Sequence, residues 1–215
     1  MHHHTLKTQK TAHIYTHNTF SEKTLSVWIV LHGYGQLTKY FIRKFNILPE
    51  EHFVVAPEAL SRFYVQGYSG RVGANWMTKE DRLIDIEDYI RYLNHVYETF
   101  IFPHLNENIK VNVVGFSQGG ATASRWVNNT GFKVDNLILW SCVFPPDMNF
   151  ETIQNKNLDC YLLYGNEDEF NVQQQVEEIK PVIESGKVNC KIIPFEGTHN
   201  IPSKVLLDLI SQYNL

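Results

Sequence analysis

The chain has 215 residues, 43% of them hydrophobic, and a formal net charge of -4. That size and composition suit one domain, residues 1–215, with a sizeable buried core. Near-balanced charge removes the electrostatic case for nucleic acid or an anionic membrane, and no apolar run approaches the roughly 18 residues of a transmembrane helix.

In chain order, the first stretch is MHHHTLKTQKT, which is polar and lacks the apolar segment of a secretory signal. Cys142, Cys160 and Cys190 are widely spaced with no C-x-x-C pair, the pattern of reduced thiols in a cytoplasmic protein. His2, His3 and His4 sit at a terminus that cannot hold ligands in place. His13 and His17 flank Tyr15 at period two, which reads as the solvated face of a strand. Neither a metal nor an organic cofactor is expected.

Beyond this point β-rich runs alternate with helical ones. Strands are predicted at Ser26–Leu31, His52–Pro57, Val111–Gly115, Leu137–Ser141, Cys160–Gly165 and Val188–Phe195, several of them apolar on both faces. Helices are predicted at Thr38–Phe45, from near Thr78 onward, and at Gln118–Asn128, Val172–Glu184 and Ser203–Tyr213. In the helix from Thr78, Leu83, Ile86, Ile90, Leu93 and Tyr97 form the core-facing stripe. Thr78 and Asp81 resemble a capping box there, and Glu80, Asp81, Asp85, Glu87 and Asp88 read as a solvated face. Such alternation gives a mostly parallel sheet with helices on both faces. Between the second strand and this helix, Glu58–Lys79 is a long connection rich in glycine and aromatics, with no regular structure expected.

Chemistry concentrates at the carboxyl ends of the strands, where open α/β sheets carry their sites. Ser117 follows Val111–Gly115 in the stretch Gly-Phe-Ser-Gln-Gly-Gly and precedes a helix. G-x-S-x-G in this setting is a nucleophile elbow, in which a strained turn exposes the serine and small neighbours avoid collision. Taken alone, the motif also fits an ordinary strand-to-helix turn. A serine also needs a base, and the base needs an orienting carboxylate. The run CYLLYG leads into Asn166, Glu167 and Asp168, and the last strand leads into Glu196-Gly197-Thr198-His199. Serine, then acid, then histidine is the order of an α/β-hydrolase triad. After the first of the predicted strands, Leu31-His32-Gly33-Tyr34-Gly35-Gln36 offers a glycine-flexed backbone whose N–H groups can face an oxyanion.

LHGYGQ, GFSQGGATA, YGNEDEF and EGTHNIP together resemble the phospholipase/carboxylesterase family of α/β-hydrolases, which includes acyl-protein thioesterases. The resemblance spans nearly the whole chain. It implies an α/β-hydrolase fold and a triad of Ser117, Asp168 and His199. It also implies backbone oxyanion donors at Tyr34 and Gln118. Tyr34 stands where the family more often has a small aliphatic residue, so its side chain is expected to wall part of the pocket. Acidic residues flank Asp168 on both sides, which is unusual for the pattern, and Glu167 and Glu169 are expected to face solvent.

The expected function is hydrolysis of a small carboxylic ester or thioester through an acyl-enzyme. The alternative is a non-catalytic binding protein of the same fold. The connection Cys142–Pro146 leaves little room for a large lid, and short or medium acyl chains are expected because Tyr34 and the missing lid limit a deep apolar tunnel. Tyr64, Tyr68 and Trp76, with Phe144 from that short connection, are the candidate pocket lining. Packing of Glu58–Lys79 onto the core is the equal alternative for its aromatics.

Overall fold

The computed structural model describes residues 1–215. Its centre is a seven-stranded sheet in the order β1-β3-β2-β6-β7-β8-β9. The strands are β1 (Ile14–His17), β2 (Ser26–Leu31), β3 (His52–Pro57), β6 (Lys110–Phe116), β7 (Asn136–Trp140), β8 (Asp159–Gly165) and β9 (Cys190–Phe195). All neighbours pair in parallel except β1, which runs antiparallel along β3. β2 and β3 are buried along their whole length, as strands covered on both faces must be. The helices are α1 (Thr38–Phe41), which continues as a 3-10 turn over Ile42–Phe45, α2 (Arg82–Phe100), α3 (Gln118–Asn129), α4 (Phe150–Asn155), α5 (Val172–Glu184) and α6 (Ser203–Tyr213).

Two apolar clusters divide the core across the sheet. On one face Leu93 and Val96 of α2 and Trp126 of α3 pack on Val27, Val113 and Leu139. On the other, Phe41 of α1 and Leu206 and Leu209 of α6 pack on Trp28, Val114 and Trp140. The chain starts its parallel layer at β2, goes outward to β3, then returns to β6 beside β2 and proceeds to β9. The carboxyl ends of β2 and β6 therefore flank a topological switch point, where the loops diverge and leave a crevice.

Several expectations change. Glu58–Lys79 is not irregular: β4 (Ser61–Tyr64) and β5 (Val72–Asn75) form an antiparallel hairpin within it. Helix α2 begins at Arg82, not near Thr78, because Asp81 takes a left-handed conformation (φ 52°) and its side chain caps nothing. The Thr78 N–H is instead bound by the Asp85 carboxylate at 3.0 Å. Leu83 is 66% exposed, while Tyr89 and Val96 join Leu93 and Tyr97 in the core, so the buried stripe is rotated from the one predicted. His13, just before β1, is exposed, but Tyr15 packs against the core and His17 is half-buried. No helix is long and apolar enough to cross a membrane.

Candidate active site

Ser117 sits between β6 and α3 with φ 53° and ψ -122°, a conformation L-residues rarely hold. The neighbouring glycines make it possible. A Cβ on Gly115 would lie 2.4 Å from the Gly119 carbonyl oxygen, and one on Gly119 would lie 2.3 Å from the Leu31 oxygen. One on Gly120 would lie 2.0 Å from Cys142 Sγ. The strand, the turn and the helix thus meet at distances only glycine permits, and the Ser117 N–H is tied to the Trp140 carbonyl at 2.9 Å.

β8 and β9 bring the second half of the site together. Gly165 ends β8 so closely against the next loop that a Cβ there would stand 2.2 Å from the Gly197 oxygen. The Glu167 N–H donates to that same oxygen at 2.9 Å, and the Gly197 N–H donates to Asn166 Oδ1 at 3.1 Å. With the loops joined, Asp168 Oδ2 accepts from His199 Nδ1 at 2.8 Å, and Asp168 Oδ1 accepts from the Phe170 N–H at 3.0 Å. Both carboxylate oxygens are therefore fixed, and the Asp168 side chain is only 1% exposed. The imidazole lies between Phe116 and Phe170, whose ring centroids are 4.8 and 4.5 Å away. Its Nδ1 being engaged, Nε2 is the nitrogen left for the cavity. Glu167 and Glu169 are exposed, although Glu169 Oε2 also approaches the His199 N–H at 3.4 Å.

Ser117, Gln118 and His199 line one cavity of about 390 Å³. Ser117 Oγ and the imidazole share it without a hydrogen bond between them, a spacing that substrate often closes in such pairs. The backbone N–H groups of Tyr34 and Gln118 are committed to no other group of the protein. Their orientation has a visible cause. The Gly33 carbonyl is bound by His32 Nδ1 at 2.7 Å, and the Ala59 N–H donates to His32 Nε2 at 3.0 Å. Nε2 accepting means that Nδ1 carries the proton, so the ring is neutral. Burial pushes its pKa down to about 4, against smaller upward pulls from the Gly33 carbonyl and from Glu58. Because a trans peptide is planar, fixing the Gly33 C=O fixes the Tyr34 N–H in the opposite direction. The Gln118 side chain holds the facing wall: Nε2 donates to Asn75 Oδ1 (2.7 Å) and to the Met77 carbonyl (3.0 Å), and Oε1 accepts from the Trp76 N–H (3.2 Å).

This arrangement suits nucleophilic attack followed by proton transfer, and residues 16–214 match the phospholipase/carboxylesterase family model. The chain belongs to the phospholipase/carboxylesterase family. Its enzymes are hydrolases, and the solved structures it resembles agree in fold. Esterase PE8 has 19% sequence identity and a TM-score of 0.68, covering 95% of this chain and 99% of that one. Acyl-protein thioesterase 2 of Zea mays has 14% identity and a TM-score of 0.69, with 95% and 98% covered. The Bacillus cereus carboxylesterase has 15% identity and a TM-score of 0.66, with 94% and 93% covered. At such identities the likeness establishes the α/β-hydrolase fold. No curated protein matches the chain.

Of the pocket candidates, Phe144 alone lines the serine's cavity. Tyr68 is 98% exposed at the tip of the β4–β5 hairpin and Tyr64 is 50% exposed, because the hairpin projects from the sheet. Trp76 is buried, donates from Nε1 to the His32 carbonyl at 2.9 Å, and faces a different cavity, between residues 5–11 and α2. Tyr34 does not wall the cleft either: its side chain turns outward, 59% exposed, onto Phe63. The cleft takes its walls from Met77, Ala121, Arg125, Val143 and Phe170, none of which the sequence reading named. Ala121 and Arg125 follow Gln118 at helical spacing, which is the signal that could have found them. No group of three or more His, Cys, Asp and Glu side chains is arranged to hold a metal ion.

Proposed function

We propose that this chain, as one catalytic domain over residues 1–215, is a serine esterase or thioesterase acting on small carboxylic esters or thioesters. The observation that carries the reading is the His199–Asp168 pair at 2.8 Å, facing a cavity floored by a serine at φ 53°. Ser117 Oγ attacks the acyl carbon while His199 Nε2 takes its proton, and Asp168 holds the imidazolium that results. The N–H groups of Tyr34 and Gln118 donate to the oxyanion. As the tetrahedral species collapses, the C–O or C–S bond to the leaving group breaks and the alcohol or thiol departs with the proton. Water, deprotonated by His199, then releases the acid and restores Ser117. No metal or other cofactor takes part.

A cavity of about 390 Å³ is at the small end of ligand sites, which supports substrates of modest size. The three cysteines are unpaired, which fits the cytoplasm. The test is Ser117→Ala, whose side chain contributes little packing. The variant should keep the wild-type unfolding transition and lose hydrolysis of short nitrophenyl esters and thioesters. A folded variant with turnover near wild type would remove Ser117 from the role, and a wild type inert toward every ester and thioester would favour a binding protein.

A further inference from the structure

The serine's cleft runs along α3 and ends in a charge. Gln118, Ala121 and Arg125 all line it, the last two lying three and seven residues beyond Gln118 on one helix face. Arg125 is the one permanently charged side chain in the lining, and it is only 7% exposed. Its Nε and Nη2 hold Asp147, at 3.0 and 2.8 Å, and Asp147 is itself 35% exposed and not part of the lining. Arg82 approaches the same carboxylate at 3.7 Å, so two guanidinium groups share one negative charge. The remaining nitrogen of Arg125, Nη1, meets the thioether of Met77 at 3.4 Å, and Met77 lines the cleft; the Tyr89 hydroxyl also lies against the guanidinium. A thioether is a weak acceptor, which leaves N–H donors and net positive charge at the end of the cleft.

On the reading of the site as a serine esterase, we infer that Arg125 selects substrates whose acyl group ends in a carboxylate. An alkyl tail placed there would strip a buried guanidinium of solvent and return no hydrogen bond. A carboxylate supplies both the acceptor and the charge in the planar geometry that a guanidinium matches. The helix also sets the length. Eight residues separate Ser117 from Arg125, a rise of about 12 Å, and a helical side chain leans back toward the N-terminus by about one turn. On the order of 6 Å is left between the reacting carbon and the guanidinium, of which a paired carboxylate takes up about 4 Å, so the span suits half-esters of dicarboxylic acids of roughly three to four carbons.

The experiment compares kcat/KM for two matched nitrophenyl esters, the butanoate and the half-ester of succinic acid. Wild type should favour the carboxylate-ended ester. Arg125→Met should lower that preference on the order of 10- to 100-fold, the usual weight of a charge-assisted hydrogen bond. Asp147→Asn should raise it, by freeing the guanidinium. The double variant Arg125→Met/Asp147→Asn should stay below wild type, which separates lost attraction from exposed repulsion. Taking a ratio cancels any general effect on catalysis, and Asp147→Asn decides the matter if Arg125→Met does not fold. Equal ratios in wild type and Arg125→Met, or a butanoate preference that neither variant alters, would overturn the inference while leaving the esterase reading intact. Absence of turnover with both esters and of labelling by a fluorophosphonate would instead overturn the esterase reading, and the inference with it.

Discussion

Replacing His32 by glutamine should reshape the acid stability of the protein. His32 is fully buried and neutral, with a pKa pushed by burial from 6.5 down to about 4. In the unfolded chain the same ring takes up a proton near 6.5. Lowering the pH through that value therefore charges the unfolded state first, and folding loses stability until the folded protein also protonates near 4. Each pH unit in this window is worth ~1.4 kcal/mol for one proton, so His32 should account for about 3 kcal/mol of lost stability between about pH 6.5 and about pH 4. Urea titrations followed by tryptophan fluorescence, from about pH 7.5 to about pH 4.5, read this directly. His52, whose pKa burial also lowers, is present in both proteins and cancels in the comparison. The glutamine variant should start less stable, by about 1–3 kcal/mol for each hydrogen bond to Ala59 or Gly33 it fails to replace. It should then lose less with acid than wild type does. Parallel stability curves for the two proteins over this range would refute the assignment of a buried neutral ring. Esterase activity at neutral pH should also fall, since the Gly33–Tyr34 peptide loses the bond that orients it.

Asp168→Asn should reduce kcat steeply, up to about 10⁴-fold as for the orienting acid of other triads, whereas Glu167→Gln and Glu169→Gln should change it little. Steady-state kinetics on one short ester check this, and a glutamate variant as damaging as Asp168→Asn would move the acid elsewhere. Gly120→Ala should destabilise the fold by about 1–3 kcal/mol, because its Cβ would meet Cys142 Sγ at 2.0 Å. Adding Cys142→Ala should recover part of that loss in thermal melts, and an equal or greater loss in the double variant would show that the clash lies with the backbone.

The strands were the most legible part of the fold. Val27–Leu31 is apolar on both faces, and so is Val111–Val114 apart from Asn112, and burial between two helical layers is the circumstance that requires this. The candidate site's polar groups were legible too, because Ser117, Asp168 and His199 each follow the end of a strand in the order of a triad, with glycines near Ser117 and His199. What the sequence hid depends on side-chain direction. Trp76, Tyr68 and Tyr34 have the composition of a pocket wall, but the twist of the β4–β5 hairpin and the loop after β2 turn them inward to His32, outward to solvent, and onto Phe63. Arg125 carries no local sign of its role, since nothing in the sequence reveals that Asp147, twenty-two residues on, folds back to pair with it. The start of α2 was misplaced for a similar reason: Asp85 satisfies Thr78 across a turn that no capping pattern specifies.

The most direct measurement is covalent labelling of the native protein with a fluorophosphonate, followed by digestion and mass spectrometry of the modified peptide. The adduct should fall on Ser117 alone, its formation should stop in Asp168→Asn and His199→Ala, and pre-incubation with a substrate ester should slow it. Labelling at another residue, or none at all in protein that remains folded, would contradict a Ser117–His199–Asp168 hydrolase.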